Sequence, residues 1–373
     1  MSFFQDRTVL RRQKRALLAL EFCSGFCPAG SVWVLLLGLR GLSPVSIGLA
    51  ESVFHLVSLC GELPSGLLAD LLGRRRTLLA SRAMFVLSAL LMAAANGFWG
   101  VCLSLAVSAL GYNLASGTRE AITYESLLAA GAQAGYLRFS SLQNALFRGS
   151  AAAAMLLAGG VVLLGPRRAY LLDALVSLAG LLAVLALREP PPQDAPRAAA
   201  ARRQGFWAAL RQLAAGAAAV LRADQFARRV MAGNALAGAA ATLTLFFLQR
   251  RIGAALSAGP AALGPALVLT GLGGALAGLG ASWLARLRWA QAAAAAGLGI
   301  GLCVLLARLG SLPLLLAAGF FAGFWDDALQ LVSDSLLNSR FPTAQRATLV
   351  SVSSLLFSLA MIPLSPVFGW LLG

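Results

Sequence analysis

Charged side chains inside apolar stretches are the residues best suited to do chemistry in this sequence. A charge in a hydrocarbon layer costs about 2.5–3.5 kcal/mol, so it needs a partner or a boundary. In residues 61–78 an apolar run reaches Gly66, meets Asp70 four residues later, and breaks at Gly73 into three consecutive arginines. A carboxylate at such a helix end can pair with an arginine or a helix N-terminus in one state and lose it in another. The pattern predicts a reversible ionic contact at a membrane boundary.

A second group of charges lies deeper in the apolar stretches. Glu62 precedes Asp70 by eight residues, about 12 Å along a helix. Arg119, Glu120 and Arg148 lie at a similar depth in their own segments, and four charges at one level are expected to pair. A carboxylate whose pairing changes can bind and release a proton. A fixed network that only sets helix packing is the alternative, and Arg119 could instead bind an anionic substrate.

A pair of adjacent carboxylates forms the third candidate. Asp326 and Asp327 follow Trp325 midway along a later apolar segment, and Asp334 lies two turns beyond. Two neighbouring carboxylates cannot both stay ionised cheaply in a dry site, so one holds a proton or the pair meets a cation. Only one of them can face a given cavity, because neighbours on a helix are about 100° apart. Pairing with an arginine is the alternative.

Weaker proton-site candidates lie in the first two apolar segments. They are Glu21 and His55, the only histidine, which follows Glu51 by four residues. A lone helical histidine is more often a packing residue. The five cysteines lie in apolar stretches without a CxxC pair, so neither a disulfide framework nor a metal site is expected. Gly271–Gly274 follows no strand, and no cofactor motif is recognised.

The elements that position these residues follow from composition. The chain of 373 residues is 59% hydrophobic and 12% charged, with mean hydropathy +0.79, whereas soluble globular proteins carry about 25% charged residues. This composition predicts an all-α polytopic membrane protein. The net charge is +16, and the basic residues lie between the apolar segments and not on one face. Membrane topology therefore explains them better than a nucleic-acid partner does.

Eleven segments are long and apolar enough to cross a hydrocarbon layer, which takes about 20 residues. A cytoplasmic N-terminus puts 22 basic residues on the inner side and six outside, so the positive-inside rule favours this orientation. The inner set includes Arg82. The predicted spans are 16–38, 45–72, 77–96, 98–128, 140–164, 169–187, 229–249, 260–281, 290–308, 313–336 and 347–371.

One proline-rich polar break divides six spans from five. It begins at Glu189 and is followed by residues 205–222, whose apolar residues at helical spacing suggest a helix lying in the inner interface. A membrane span there is the alternative, but it would invert every later loop. The predicted domains are a six-helix bundle over 1–188, a cytoplasmic linker with the interfacial helix over 189–223, and a five-helix bundle over 224–373.

The break at Gly73 also carries a family resemblance. Residues 66–76 resemble the signature loop between the second and third helices of the major facilitator superfamily, and residues 116–127, 188–190 and 346–348 extend the match along the chain. The resemblance implies a two-bundle transporter fold with a conformational latch at this loop. The latch residues it implies are Gly66, Asp70, Gly73, Arg74, Arg75 and Glu125.

Two features depart from the family pattern. The second half's counterpart of the loop, Gly271 through Arg288, keeps small residues and Arg286 but has no aspartate at the matching place. The family usually has twelve helices, and this sequence stops after the eleventh predicted span. Either the sequence is truncated or its C-terminus lies outside.

The resemblance implies a secondary transporter that works by alternating access, with protons as the coupling ion. One lysine beside 29 arginines favours a GC-rich bacterial genome, so a bacterial inner membrane is expected. Efflux of a drug-like or amphipathic compound is the first expectation, and import of a metabolite or anion is the alternative. A nontransporting sensor and a polytopic membrane enzyme are expectations from other classes. The expected partners are a small-molecule substrate, protons and membrane lipid, with a monomer favoured.

Overall fold

A computed structural model describes residues 7–191, 205–341 and 343–373, and every regular element in these ranges is helical. Because no water is available inside a bilayer, a helix is the conformation that satisfies each backbone group within its own segment. The helices of the first part are α1 (Arg7–Gly25), α2 (Trp33–Leu39), α3 (Pro44–Leu72), α4 (Arg74–Ala94), α5 (Phe98–Ala115), α6 (Thr118–Ala129), α7 (Tyr136–Leu156), α8 (Ala158–Leu164) and α9 (Pro166–Leu185).

The second part begins with the amphipathic helix that follows the linker. This helix forms as predicted, and its position at the membrane interface remains a prediction. The helices are α10 (Phe206–Ala223), α11 (Gln225–Ala255), α12 (Leu263–Ala275), α13 (Ala277–Leu284), α14 (Trp289–Leu309), α15 (Leu312–Arg340) and α16 (Thr343–Leu372).

Ten segments of the described residues are long and apolar enough to cross a membrane, and the bent pair α7 and α8 would make eleven. The predicted membrane-protein class and span number are therefore confirmed. Four predicted continuous spans, 16–38, 98–128, 140–164 and 260–281, are each built from two helices instead. Pro28 lies in the first break and Gly117, with φ +69°, in the second; both residues favour interruption of a helix.

The chain forms two compact units. Unit 1 comprises residues 1–31, 60–154 and 167–213, and unit 2 comprises residues 32–59, 155–166 and 214–373. Unit 1 has a core of large aliphatic side chains from α1, α4, α6 and α9, among them Leu17, Leu20, Leu78, Ile122, Leu127 and Val184. This core fixes the helices that carry the charged residues described below.

Unit 2 is packed largely through small residues. A Cβ atom added to Gly273 of α12 would collide with the Phe320 carbonyl of α15, and one added to Gly280 of α13 would collide with the Phe324 ring. Small residues let membrane helices approach until their backbones touch. Gly271 and Gly278 in the same stretch make no such close contact, because nothing lies within 4 Å of a Cβ added there.

The first half of α3 packs antiparallel against α16 within unit 2. We call this contact the seam; it comprises residues 44–55 of α3 and 358–369 of α16. A Cβ added to Gly48 would strike the Ser365 carbonyl, and one added to Gly369 would strike the Pro44 carbonyl. Each helix therefore supplies a glycine that admits the other helix's backbone, which fixes the register of the seam.

A proline creates the polar contact within the seam. Pro366 has no N–H group, so the carbonyl four residues earlier, at Ile362, loses its helical donor. The Ser52 hydroxyl of α3 donates to that carbonyl at 2.6 Å. An unpaired carbonyl in an apolar layer costs several kcal/mol, so Ser52 stabilises both α16 at Pro366 and its contact with α3.

We predict that Gly48→Ala destabilises the protein, because the added methyl group overpacks a backbone contact, a change that typically costs about 1–3 kcal/mol. The thermal unfolding midpoint in detergent should fall. Gly66→Ala on the same helix is the control, since nothing lies within 4 Å of a Cβ there. Equal midpoints for the two variants would contradict the seam packing.

Asp224 forms the N-cap of α11. Its carboxylate accepts hydrogen bonds from the N–H groups of Phe226 at 2.8 Å and Ala227 at 3.1 Å, and the Arg340 Nε donates to it at 3.0 Å. The Ala227 N–H bond, followed by those of Phe226 and Arg340, lowers the pKa of Asp224 below its ordinary value of 3.8. The cap therefore ties the start of α11 to the end of α15.

We predict a pH-dependent loss of stability in Asp224→Ala. A carboxylate whose pKa is lowered by folding stabilises the folded state above its unfolded pKa, and the effect is lost as pH falls through the folded pKa. The thermal midpoint should thus lie below that of the unmodified protein from about pH 5 to 8, with the difference shrinking toward about pH 3. Asp224→Asn, which keeps one acceptor oxygen, should be less affected. A difference that persists unchanged at acid pH would contradict this reading.

Candidate functional site

Arg74 bridges two carboxylates at the break between α3 and α4. Its Nη1 lies 2.8 Å from Asp70 Oδ1, while its Nη2 and Nε each lie 3.2 Å from Glu125 Oε1 on α6. The side chain of Glu125 is 8% exposed and that of Asp70 is 34% exposed. One guanidinium thus joins the ends of three helices through charge-assisted hydrogen bonds.

Glu189 caps the start of α4 from the residues after α9. Its two carboxylate oxygens accept the backbone N–H groups of Arg74 at 2.6 Å and Arg75 at 2.8 Å. Gly73 makes this approach possible, because it has φ +95° and an added Cβ would lie 2.9 Å from Glu189 Oε1. A carboxylate at a helix N-terminus satisfies donors that have no helical partner and complements the helix dipole.

The other predicted latch residues have simpler surroundings. Arg75 donates from Nη2 to the Leu185 carbonyl at the end of α9, at 2.9 Å. Gly66 faces open space. Glu189 was not predicted as a site residue. Its position just after the sixth predicted span, on the same side of the membrane as Gly73 in the predicted topology, could have indicated a contact with this loop.

A second ion pair joins α1 and α6 inside unit 1. Arg119 Nη1 lies 3.2 Å from Glu21 Oε2, and the Glu21 residue is 8% exposed. Arg119 directly follows the break at Gly117, and its guanidinium also lies 5.8 Å from the centre of the Phe147 ring of α7. A weak candidate from the sequence, Glu21, is therefore the partner of Arg119.

Arg82 of α4 lies deep in the same bundle. It is 4% exposed, donates from Nη2 to the Ser24 hydroxyl of α1 at 2.8 Å, and stacks over Phe85. Its Nε is buried without a hydrogen-bond acceptor among the described residues. Arg82 was predicted to lie among the basic residues of the inner side, and the structure buries its side chain within the bundle, where Gly180 of α9 leaves the room that it occupies.

The predicted four-charge cluster does not form. Of its members only Arg119 makes an ion pair within the described parts of the chain, and the partner is Glu21. Glu120 and Arg148 are exposed and Glu62 is half-buried, none of them in an ion pair with another described residue. Adjacent residues on a helix are about 100° apart, which is consistent with Arg119 alone contacting Glu21. Equal depth in the layer does not imply a shared face.

Asp173 of α9 is a buried carboxylate that the sequence analysis did not single out. Its oxygens accept the backbone N–H groups of Ala29 and Gly30, each at 2.9 Å. Those N–H groups lie in the break between α1 and α2, where helical partners are missing. Asp173 therefore stabilises the interruption of the first span. Gln13 has a similar role at the other end of α1, with bonds to both backbone groups of Arg188.

The carboxylates of α15 diverge, as their adjacency requires. Asp326 Oδ1 faces Gly238 of α11, whereas Asp327 Oδ2 faces Gly274 of α12. Asp334 accepts a hydrogen bond from Gln330 Nε2 at 2.9 Å, and Gln330 is in turn bonded to Asn234. No ion pair to an arginine forms at Asp326 within residues 7–191, 205–341 and 343–373.

His55 belongs to a buried cluster in unit 2. Its Nε2 lies 3.3 Å from Glu51 Oε1 on the same helix, and its Nδ1 lies 3.3 Å from the Ser358 hydroxyl of α16. No group of three metal-ligating side chains lies close together in the described residues. The ion pairs and this cluster are thus polar features of the helices that can change protonation or partner.

A family model gives the decisive comparison. The model of the Major Facilitator Superfamily matches residues 17–362. The chain belongs to this family. Its members are transporters, and the resemblance drawn from the residues around Gly73 is confirmed.

Solved structures of major facilitator proteins share the fold. A point variant of the nucleoside transporter NupG matches with a TM-score of 0.75 and 17% identity over 96% of this chain and 91% of that one. A D-xylose-proton symporter matches with a TM-score of 0.65 and 14% identity over 97% and 90%. A POT family transporter in complex with 5-aminolevulinic acid matches with a TM-score of 0.67 and 14% identity over 96% and 89%. No curated protein matches the chain in sequence.

We predict that Glu189→Ala weakens the start of α4 in this major facilitator protein, because two backbone donors and the dipole lose their carboxylate. Loss of an N-terminal cap typically costs about 1 kcal/mol, so the thermal midpoint should fall. Glu120→Ala is the control, since Glu120 is an exposed glutamate near the start of α6. Indistinguishable midpoints for the two variants would contradict the capping role of Glu189.

Proposed function

We propose that this chain is a proton-coupled transporter that carries a small polar or anionic solute across a bacterial inner membrane. The observation that supports this most is the Glu21–Arg119 pair, whose carboxylate is buried and also lies within the electrostatic influence of the buried Arg82. Buried charges of this kind in a membrane protein are costly and mark ion or substrate pathways.

The proposed coupling follows from the charges. When Glu21 is ionised, it holds Arg119 in a pair. A proton on Glu21 removes that attraction, and the Arg119 guanidinium becomes available to a carboxylate, phosphate or hydroxyl group of a solute. When the solute leaves, Arg119 again stabilises the ionised form of Glu21 and the proton departs. Proton and solute therefore move in the same direction.

The proposed direction is import. The expected efflux of amphipathic compounds has no support in the similar structures, among which are a nucleoside transporter and a D-xylose-proton symporter. Arg119 and the buried Arg82 also favour a polar or anionic solute over a lipophilic cation, because a cation would meet like charges. The cytoplasmic N-terminus follows from the distribution of basic residues.

The proposed latch is the Gly66–Arg75 region with Glu125. Asp70 and Glu125 share Arg74, and Glu189 holds the first turn of α4. As the bundles rock, the exposed Asp70 contact can be exchanged at modest cost, whereas the buried Glu125 contact persists. In this proposal Asp326 and Asp327 remain secondary candidates for proton handling.

The test is solute uptake into proteoliposomes with an imposed pH gradient, acidic outside. The panel contains nucleosides, pentoses, small carboxylates such as 5-aminolevulinic acid, and amphipathic cations. We expect accumulation of a polar solute by the unmodified protein. In Glu21→Gln the internal concentration should only equal the external one, because no proton is carried at this site.

Glu120→Gln is the matched control, since it removes the neighbouring exposed carboxylate and should leave accumulation intact. Movement of amphipathic cations out of vesicles, with no uptake of any polar solute, would overturn import. Undiminished accumulation in Glu21→Gln would overturn the assignment of the coupling site.

A further inference from the structure

The seam between α3 and α16 holds a buried acid–base pair that the proposed transport site does not use. Glu51 is 8% exposed and His55 is 6% exposed. The two residues lie one helical turn apart on α3. The other ring nitrogen of His55, Nδ1, lies 3.3 Å from the Ser358 hydroxyl across the seam. Both nitrogens of the imidazole thus have polar partners, one on each helix.

The surroundings of the pair are apolar. The His55 ring lies edge-to-face against Phe54 and against Phe357, with ring centres 5.1 and 5.7 Å away. The hydroxyl group of Ser52, three residues before His55 on α3, donates a hydrogen bond to the Ile362 carbonyl. One turn further along α3, Gly48 lies against the Ser365 carbonyl of α16. Ser358 is therefore the polar side chain of α16 that contacts His55 in the described residues.

Ionisable groups on the packed elements are few among the described residues. Residues 349–372 of α16 contain none, and α2 contains none. The charges of α11 are at its ends, at 228–229 and 250–251. On α15 the nearest carboxylate is Asp326, whose oxygen and the Phe357 ring both lie against Gly238.

The number of protons bound by Glu51 and His55 determines whether the pair is stable in a closed seam. With one proton shared between them, Glu51 and His55 are together neutral, whether as an ion pair or as two neutral groups. Without that proton the buried pair carries one negative charge, and burying an uncompensated charge is costly. Water reaching the pair would remove this cost, and separation of α3 from α16 admits it.

We propose that Glu51, His55 and Ser358 form a second proton-binding site, and that its proton holds the seam between α3 and α16 closed. Deprotonation leaves a net negative charge and favours separation of the two helices. The seam lies on the half of α3 remote from Gly66 and Asp70. The proposed proton site rests on this geometry alone. Only its link to solute movement rests on the proposed function.

The test measures the seam directly in the full chain. Nitroxide labels at Ser43→Cys and Trp370→Cys, both exposed positions near the seam, report its width in lipid nanodiscs by pulsed electron spin resonance. The native Cys60, which is exposed, is replaced by serine. We expect one short distance at acid pH and a growing long-distance population at alkaline pH. The ratio should change by up to about tenfold per pH unit, the limit for one linked proton.

Variants identify the groups that bind the proton. Glu51→Gln makes the pair neutral without a proton, so the short distance should persist at both pH values. His55→Gln leaves a lone carboxylate, so closure should require a lower pH, and this second variant tests the proposal even if the first does not fold. Asp326→Asn should keep the response of the unmodified protein.

Three results would overturn the proposal. They are an unchanged distance distribution across the pH range, a full pH response in Glu51→Gln, and loss of the response in Asp326→Asn. None of these outcomes depends on solute transport, so a failure of the seam and a failure of the Glu21 coupling site are separately visible.

Discussion

The cost of charge in an apolar layer governs this structure. Buried ionic groups of unit 1 have acquired partners on another helix or at a helix break, because leaving a buried charge alone costs several kcal/mol. Glu21 pairs with Arg119, Glu125 pairs with Arg74, and Asp173 accepts two backbone N–H groups. These contacts join α1, α4, α6 and α9, so the charges that are expensive to bury also determine how the helices of unit 1 are connected.

Breaks in the helices create the sites. The first, fourth and fifth spans are each interrupted, and the loop at Gly73 turns with a positive φ that admits Glu189. In unit 2, Pro366 frees the Ile362 carbonyl for Ser52. Glycine and proline thus do two things at once here: they let backbones approach, and they leave polar groups that a neighbouring helix must satisfy. Polar contacts between helices follow from these interruptions.

The sequence predicted the class, the family and the span number, because these depend on segment length, apolar content and a local motif. It also pointed to Asp70, Arg74 and Glu125, which the structure brings together. It did not identify the partners of Arg119 and Arg82, because pairing between helices depends on helix rotation, which composition does not encode. Glu120 shows this directly, since it adjoins Arg119 and faces elsewhere. Asp173 was missed because its partners are backbone groups in an unforeseen helix break.

The central claim is that proton movement passes through the Glu21–Arg119 pair. The most direct measurement follows the pH inside proteoliposomes with a trapped indicator, while a transported solute runs down its own gradient with no pH difference imposed. The account predicts that the lumen of vesicles with the unmodified protein acidifies as solute enters, and that Glu21→Gln passes solute without any pH change. Acidification by Glu21→Gln at the normal ratio to solute would contradict it.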